Sequence, residues 1–221
     1  MKAIRTLLAS AALVAAGSLA HAAPVAVTGS NHAFGDAFDV PASAFDTGAD
    51  PDIDDAATVP HASVVDLAAG PLDYYRVTLA AAGTLTLDVD YGDGWDHAGL
   101  ALDTKLAVWT SGGALLAVDD DDPRPWGFPG PSADAGSSST LDPWLQLGGL
   151  AAGSYVIGVA YSGADAADGG WLPGGEIPPG GMYELNVSVG PSSAPVPEPA
   201  PALAWVAGAL TLALARRRQG R

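Results

Sequence analysis

The sequence predicts an all-β protein whose body is an antiparallel β-sandwich. Apolar and polar residues alternate with a period of two in several segments, which is the pattern of strands with one buried face. The 28 glycines and 18 prolines include clusters that separate these segments at short intervals. The body carries no convincing amphipathic helix, and short strands joined by Gly- and Pro-rich turns are typical of two packed sheets.

The strands are predicted in order from Tyr74 onward. The preceding residues, 24–70, are interpreted as an acidic lead-in; its first part, up to Pro60, has few aliphatic residues and room for one edge strand. The alternating runs 74–79 and 84–90 flank the short turn 80–83 and predict a hairpin. Further strands are predicted in the following segments: 105–109, 114–118, 144–147, 154–161 and 182–189. The long connections 119–142 and 162–181 are of a length that is uncommon unless they are functional or disordered.

The first 23 residues have the composition of a secretory signal peptide, which predicts an N-terminal signal helix. Lys2 and Arg5 precede an apolar run over residues 7–16. The small residues Ala20 and Ala22 predict cleavage after Ala22, with cleavage after Ala23 as the near alternative. The chain is therefore expected to meet the Sec translocon and signal peptidase and to cross the inner membrane.

The C-terminal region combines three features in a fixed order. A Pro-rich linker over 191–199 ends in the motif Val196-Pro197-Glu198-Pro199. An uncharged apolar run over 200–215 follows, and the tail 216–221 begins with Arg216-Arg217-Arg218. The run is short for a membrane crossing but apolar on all sides, which favours a short transmembrane helix over an amphipathic core helix. Arginines remain in the cytoplasm by the positive-inside rule, so the body is expected outside.

This ordered triple resembles the PEP-CTERM sorting signal of Gram-negative bacteria. In that family a membrane-embedded exosortase reads the signal and is thought to cut near the Pro-Glu-Pro motif. The resemblance implies a protein that is membrane-anchored transiently and finally reaches the cell surface or the extracellular space. It also implies an association with exopolysaccharide and biofilm matrix.

The charge of the body excludes several classes of partner. Of nine Lys and Arg residues, the body keeps only Arg76, Lys105 and Arg124, against 24 of the 25 acidic residues, a net charge of −21. Such a body repels nucleic acid and anionic lipid and attracts divalent cations. The chain has no cysteine, so neither disulfides nor thiol chemistry contributes.

The segments 73–77, 102–109, 115–120 and 150–159 follow one another along the chain. Their order resembles that of the bacterial pre-peptidase C-terminal (PPC) domain, and the domain is placed at residues 71–190. The resemblance implies a jelly-roll-like β-sandwich that is a non-catalytic accessory, binds polymers or neighbouring domains and in some members binds calcium. The chain departs from the pattern by a long inserted segment after Asp122.

Carboxylates near the predicted strand ends form a candidate Ca²⁺ site, because Ca²⁺ takes six to eight oxygen ligands. Asp103 precedes one strand of a predicted hairpin and Asp119 ends the other, so both are expected at the same end of the sandwich. The alternative is a solvated acidic loop. A second acidic group, which includes Asp88 and Asp90, is interpreted as an exposed strand face. The full candidate ligand set is Asp103, Asp119, Asp120, Asp121, Asp122 and Asp142.

No catalytic residues are predicted, and the chain is interpreted as a non-enzyme. Zinc-binding His pairs and nucleophile-elbow motifs are missing from the sequence. Trp126 and Trp171 lie in the long connections and are weak candidates for ligand stacking, the alternative being rings folded onto the sandwich edge. The expected role is structural, adhesive or polymer-binding, through exopolysaccharide or a surface protein. The alternatives are a secreted hydrolase and a lectin-like carbohydrate-binding module.

Overall fold

The computed structural model describes residues 23–50, 53, 56–66, 72–90, 102–121, 141–174, 177 and 182–191. Regular structure in these residues consists of β-strands and two short 3-10 helices, η1 (Phe34–Asp36) and η2 (Ala42–Ala44). The strands are β1 (Val25–Ala26), β2 (Phe38–Asp39), β3 (His61–Asp66), β4 (Asp73–Leu79), β5 (Gly83–Asp90), β6 (Thr104–Thr110), β7 (Leu115–Asp119), β8 (Trp144–Leu150), β9 (Gly153–Tyr161), β10 (Ala166–Ala167), β11 (Gly170–Trp171) and β12 (Tyr183–Pro191).

Two five-stranded sheets form the sandwich. Sheet A has the strand order β1-β3-β12-β5-β8, and sheet B has the order β2-β4-β9-β6-β7. Neighbouring strands are antiparallel except where β1 runs parallel to β3 and β2 runs parallel to β4. The predicted all-β sandwich is confirmed, but the sheets are mixed, because the N-terminal segment adds one short parallel strand to the edge of each.

The main core lies between the sheets and follows the alternation seen in the sequence. Tyr75, Val77 and Leu79 of β4 point inward from sheet B, and Leu85 and Leu87 of β5 point inward from sheet A. A second apolar cluster covers the outer face of sheet B, where the β10–β11 ribbon folds over β9. Trp109 of β6 is completely buried in this second cluster, on the outer face of sheet B.

The predicted hairpin across residues 80–83 is wrong. β4 belongs to sheet B, whereas β5 belongs to sheet A, so the turn between them crosses from one sheet to the other. Both strands have one apolar face, and these faces pack against each other through the core instead of lying side by side. β5 lies between β12, which pairs with it over eight residues, and β8.

The lead-in proposed for residues 24–70 is part of the sandwich. It contributes β1, β2 and β3, and β3 lies inside sheet A between β1 and β12. Ala62 and Val64 of β3 are buried in the main core. A domain boundary at residue 71 is therefore too late, because it would remove an interior strand from sheet A.

Strand directions define two ends of the sandwich. At one end of the sandwich β3, β5, β7 and β9 finish and β4, β6, β8 and β12 begin. We call this the acidic end. β12 starts there, with Tyr183 opposite Asp66 of β3, and it finishes at Pro191, opposite Gly83, at the other end. The chain thus leaves the described sandwich at the end farthest from the acidic end.

Candidate functional site

Carboxylates collect at the acidic end because many strands start or stop there with an acidic residue. They come from seven strands or their immediate neighbours, and several are almost completely buried. The set comprises Asp66, Asp73, Asp88, Asp90, Asp103, Asp119, Asp120, Asp121, Asp142 and Glu184. Concentration of this many acidic groups in one region produces a strong local field that attracts cations.

Three of these residues form a carboxylate cluster. One carboxylate oxygen each from Asp103, Asp120 and Asp121 lies within 4.8 Å of the other two. The β6–β7 pairing produces this proximity, because Asp103 precedes β6 and Asp120 follows β7. The expectation that Asp103 and the end of β7 meet at the same end of the sandwich is confirmed.

Lys105 supplies the positive charge nearest to the cluster among the described residues. Its ammonium lies 3.0 Å from Asp120 Oδ2. The same ammonium donates hydrogen bonds to the carbonyl oxygens of Ser162, at 2.8 Å, and Ala164, at 3.2 Å. One lysine therefore faces three carboxylates, so the cluster retains an excess of negative charge.

The electrostatics of Asp121 show the effect of this crowding. Although Asp121 is largely exposed, partial desolvation of its carboxylate and the neighbouring charges of Asp103 and Asp120 raise its pKa above the usual value, and Lys105 acts in the opposite direction. A divalent cation among the three carboxylates would relieve this repulsion. Backbone carbonyls and water would have to complete the six to eight oxygen ligands that Ca²⁺ takes.

The other predicted ligands are not part of this three-carboxylate cluster. The Asp119 carboxylate accepts a hydrogen bond from the backbone N–H of Trp144, at 3.1 Å, which joins the edges of the two sheets. Asp142 is completely buried and is not one of the three clustered residues. Asp122 lies outside the described residues. The structure therefore brings together three of the six predicted ligands.

A second polar group at the acidic end was not predicted from the sequence. Tyr75 donates a hydrogen bond to Asp66 Oδ2, at 2.6 Å, and Tyr183 donates one to Asp73 Oδ2, at 2.9 Å. The two tyrosine hydroxyls also contact each other, and His32 Nδ1 lies 3.0 Å from Asp73 Oδ1. This buried network joins sheet A, which carries Asp66 and Tyr183, to sheet B, which carries Asp73 and Tyr75.

The residues interpreted as an exposed acidic face are buried. Asp88 is 2% exposed and Asp90 is completely buried, on the face of β5 opposite the main core. The carboxylate of Asp90 accepts a hydrogen bond from Asn186 Nδ2, at 2.7 Å, and Ser63 donates one to Asn186 Oδ1 at 2.6 Å. The alternation located the correct face of the strand, but it could not show that this face is covered.

Trp171 is a packing residue in this fold and not an exposed stacking platform. Its side chain is only 8% exposed, and its ring meets that of Trp109 edge-on, with 5.5 Å between centroids. Phe34 and Tyr74 complete the aromatic cluster against Trp109. The other predicted stacking residue, Trp126, lies outside the described residues.

A cavity of about 340 Å³ opens near the opposite end of the sandwich, beneath the N-terminal segment. Its wall contains the ion pair between Arg76 and Asp39, with 2.8 Å between Arg76 Nη1 and Asp39 Oδ1. Most of the remaining lining is apolar and includes Val40, Phe45 and Val189. The cavity thus combines an apolar wall with one charged pair.

The predicted targeting segments lie almost entirely outside the described residues. This applies to Ala20 and Ala22, to the motif 196–199 and to Arg216, Arg217 and Arg218; Ala23 is the first described residue and is exposed. Among the described residues, no helix is long and apolar enough to cross a membrane. No protein-family model matches the chain, and no curated protein matches it significantly.

Proposed function

We propose that this chain is an exported protein of the Gram-negative cell envelope or extracellular matrix, sorted by an exosortase. Its β-sandwich has a non-catalytic structural, adhesive or polymer-binding role. The observation that carries the sorting proposal is the ordered tail: the motif 196–199, the apolar run 200–215 and the arginines that follow. The signal peptide at residues 1–23 supplies the export step that such a tail requires.

The molecular role rests on the cluster formed by Asp103, Asp120 and Asp121. In this proposal Ca²⁺ binds the cluster and stiffens the acidic end. The sandwich is jelly-roll-like and related to PPC domains, as the sequence motifs imply. An excess of carboxylates at one end favours calcium-bridged contacts with acidic exopolysaccharide or with another surface protein. The two helices at the ends of the chain, the signal helix and the transmembrane helix, belong to delivery and not to the sandwich.

Sorting is tested by replacing Pro197, Glu198 and Pro199 together with alanine in a chain co-expressed with an exosortase. The unmodified chain is expected to lose its tail near the motif and to leave the membrane fraction, while the variant stays there at full length. Membrane fractionation and mass spectrometry of the C-terminus measure both outcomes. Pro195→Ala, in the same linker but outside the motif, is the matched control and should be processed normally.

Processing of the triple variant at the normal rate would refute recognition through this motif.

A lectin-like module is the second candidate, and the 340 Å³ cavity with its Arg76–Asp39 pair favours it. Tryptophan fluorescence that saturates with a defined oligosaccharide, and is lost in Arg76→Ala, would support it. Turnover of a glycan or peptide panel at catalytic rates would instead establish the hydrolase alternative.

A further inference from the structure

The buried network has fewer hydroxyl hydrogens than oxygen–oxygen contacts. Three contacts run in series from Asp66 through Tyr75 and Tyr183 to Asp73. Each contact needs one hydrogen, and two tyrosines supply only two. If both carboxylates were ionised and each tyrosine donated to its own aspartate, the contact between the two hydroxyls would hold no hydrogen.

The tyrosines cannot relieve this shortage by ionising. Burial raises the pKa of both Tyr75 and Tyr183 well above the usual tyrosine value, and the nearby carboxylates raise it further. Both hydroxyls therefore remain protonated under ordinary conditions. The missing hydrogen must come from a carboxyl group at one end of the series.

We propose that Asp66 and Asp73 form a proton-binding site in which one proton, held on Asp73, completes the hydrogen-bonded link between the two sheets. Asp73 then donates to Tyr183, Tyr183 donates to Tyr75, and Tyr75 donates to the ionised Asp66. Each contact now contains one hydrogen. The network carries a single negative charge instead of two.

The surroundings assign the proton to Asp73 and the charge to Asp66. Asp66 Oδ2 accepts hydrogen bonds from both Tyr75, at 2.6 Å, and Asn31 Nδ2, at 3.0 Å, and two donors on one oxygen stabilise an anion. Asp73 is completely buried. Its burial, and the charge of Asp66, raise the pKa of Asp73 to about 6, although Tyr183 and His32 act in the opposite direction.

The titratable groups that face Asp73 are few among the described residues. They are Asp66 from β3, Tyr75 from β4 itself, Tyr183 from β12 and His32 from the segment before η1. His32 is the partly exposed member, with 30% of its side chain accessible. His32 favours loss of the proton from Asp73, so the test needs a variant without this imidazole.

The site makes the joint between the sheets sensitive to pH. Because the pKa of Asp73 is higher in the folded chain than its usual value of 3.8, this contribution to stability is fully present below that value. The contribution is lost as the pH rises through about 6, when a second buried negative charge appears beside Asp66. The joint is therefore most stable at acidic pH and weakens as the pH rises toward about 6.

The test is thermal unfolding of the full 221-residue chain between pH 4.5 and pH 8 at constant ionic strength. The unmodified chain is expected to lose roughly 4–8 °C in Tm over this range as Asp73 ionises. In Asp73→Asn the amide can still donate to Tyr183 but cannot ionise, so this part of the fall should vanish. An equal fall in Asp73→Asn would overturn the proposal.

Two further measurements keep the assignment testable. In His32→Gln the fall should persist and move to higher pH, because the imidazole that opposes proton binding by Asp73 is gone. Loss of the fall in this variant would overturn the assignment to Asp73. The ¹³C signal of the Asp73 carboxyl group should titrate with a midpoint near 6. A midpoint near the usual value of 3.8 would overturn the proposal even if Asp73→Asn does not fold.

Discussion

Gly158 is the position in β9 where two tryptophan side chains come closest to the backbone. A Cβ atom there would lie 2.4 Å from Trp171 Nε1 and 2.8 Å from Trp109 Cζ3. Both distances are shorter than van der Waals contact, and both rings are buried in the second core. The absence of a side chain at Gly158 is therefore what allows the β10–β11 ribbon to close over sheet B.

Gly158→Ala is expected to destabilise the chain by about 1–3 kcal/mol, because a methyl group would overpack the aromatic cluster. Urea unfolding followed by tryptophan fluorescence measures the change. Gly148→Ala is the matched control in β8, since its Cβ would have no atom closer than 3.9 Å and its stability should change little. Equal stability of the two variants would show that the β10–β11 ribbon can move to accommodate a methyl group at position 158.

Residues of the candidate site differ in how far the sequence could locate them. Asp103 and Asp120 were predictable as neighbours because they flank the two strands of one hairpin. The contact between Tyr75 and Tyr183 joins residues 108 positions apart and depends on how one sheet packs on the other. Period-two alternation shows which side chains point inward, but not which inward residues of the two sheets will meet.

At the scale of elements, β3 decides whether the N-terminal region is a lead-in or part of the fold. Val64 is completely buried, whereas its neighbour Val65 points to the other face of sheet A and is half-buried. Val64→Thr places a hydroxyl of nearly equal volume in the apolar core. We expect a loss of about 1–3 kcal/mol, because this hydroxyl loses its hydrogen bonds to water.

Val65→Thr is the control from the same strand and should cost less than about 0.5 kcal/mol. Chemical denaturation of both variants gives the comparison, and the dependence of unfolding free energy on denaturant should stay unchanged. If Val64→Thr proved as stable as Val65→Thr, β3 would not be an obligatory part of the core.

The strands from β4 to β9, together with β12, were predictable because their alternation is long. β3 was missed because its apolar positions include Ala62 and it follows an acidic, turn-rich stretch. The pairing of β4 with β5 was also predicted wrongly. A short turn between two alternating segments fits a hairpin and a crossing between sheets equally well, and only the position of β12 decides between them.

For the whole molecule, the dominant property is an excess of negative charge, and among the described residues the carboxylates are concentrated at the acidic end. Millimolar Ca²⁺ added after EDTA treatment is expected to raise the Tm, since a ligand that binds only the folded state stabilises it. At a concentration 100 times the Kd, the gain is about 2.7 kcal/mol, or roughly 5–10 °C. Differential scanning calorimetry provides the measurement.

The double variant Asp120→Asn with Asp121→Asn should lose this response, since it removes two of the three clustered carboxylates. Asp36→Asn, an exposed carboxylate in η1, is the control and should keep it. NaCl at matched ionic strength separates site binding from general screening of the negative charge. An unchanged Tm with Ca²⁺ in the unmodified chain would contradict calcium binding.

The course of β12 has a consequence for how the protein would stand on a membrane. The strand has nine residues and spans about 30 Å, from the acidic end at Tyr183 to Pro191. If the segment after Pro191 is the anchor, the end of the sandwich opposite the acidic end is nearest to the membrane, and the clustered aspartates lie at the far end. The acidic end and the anionic headgroups are then separated by about the length of this strand, which keeps their like charges apart.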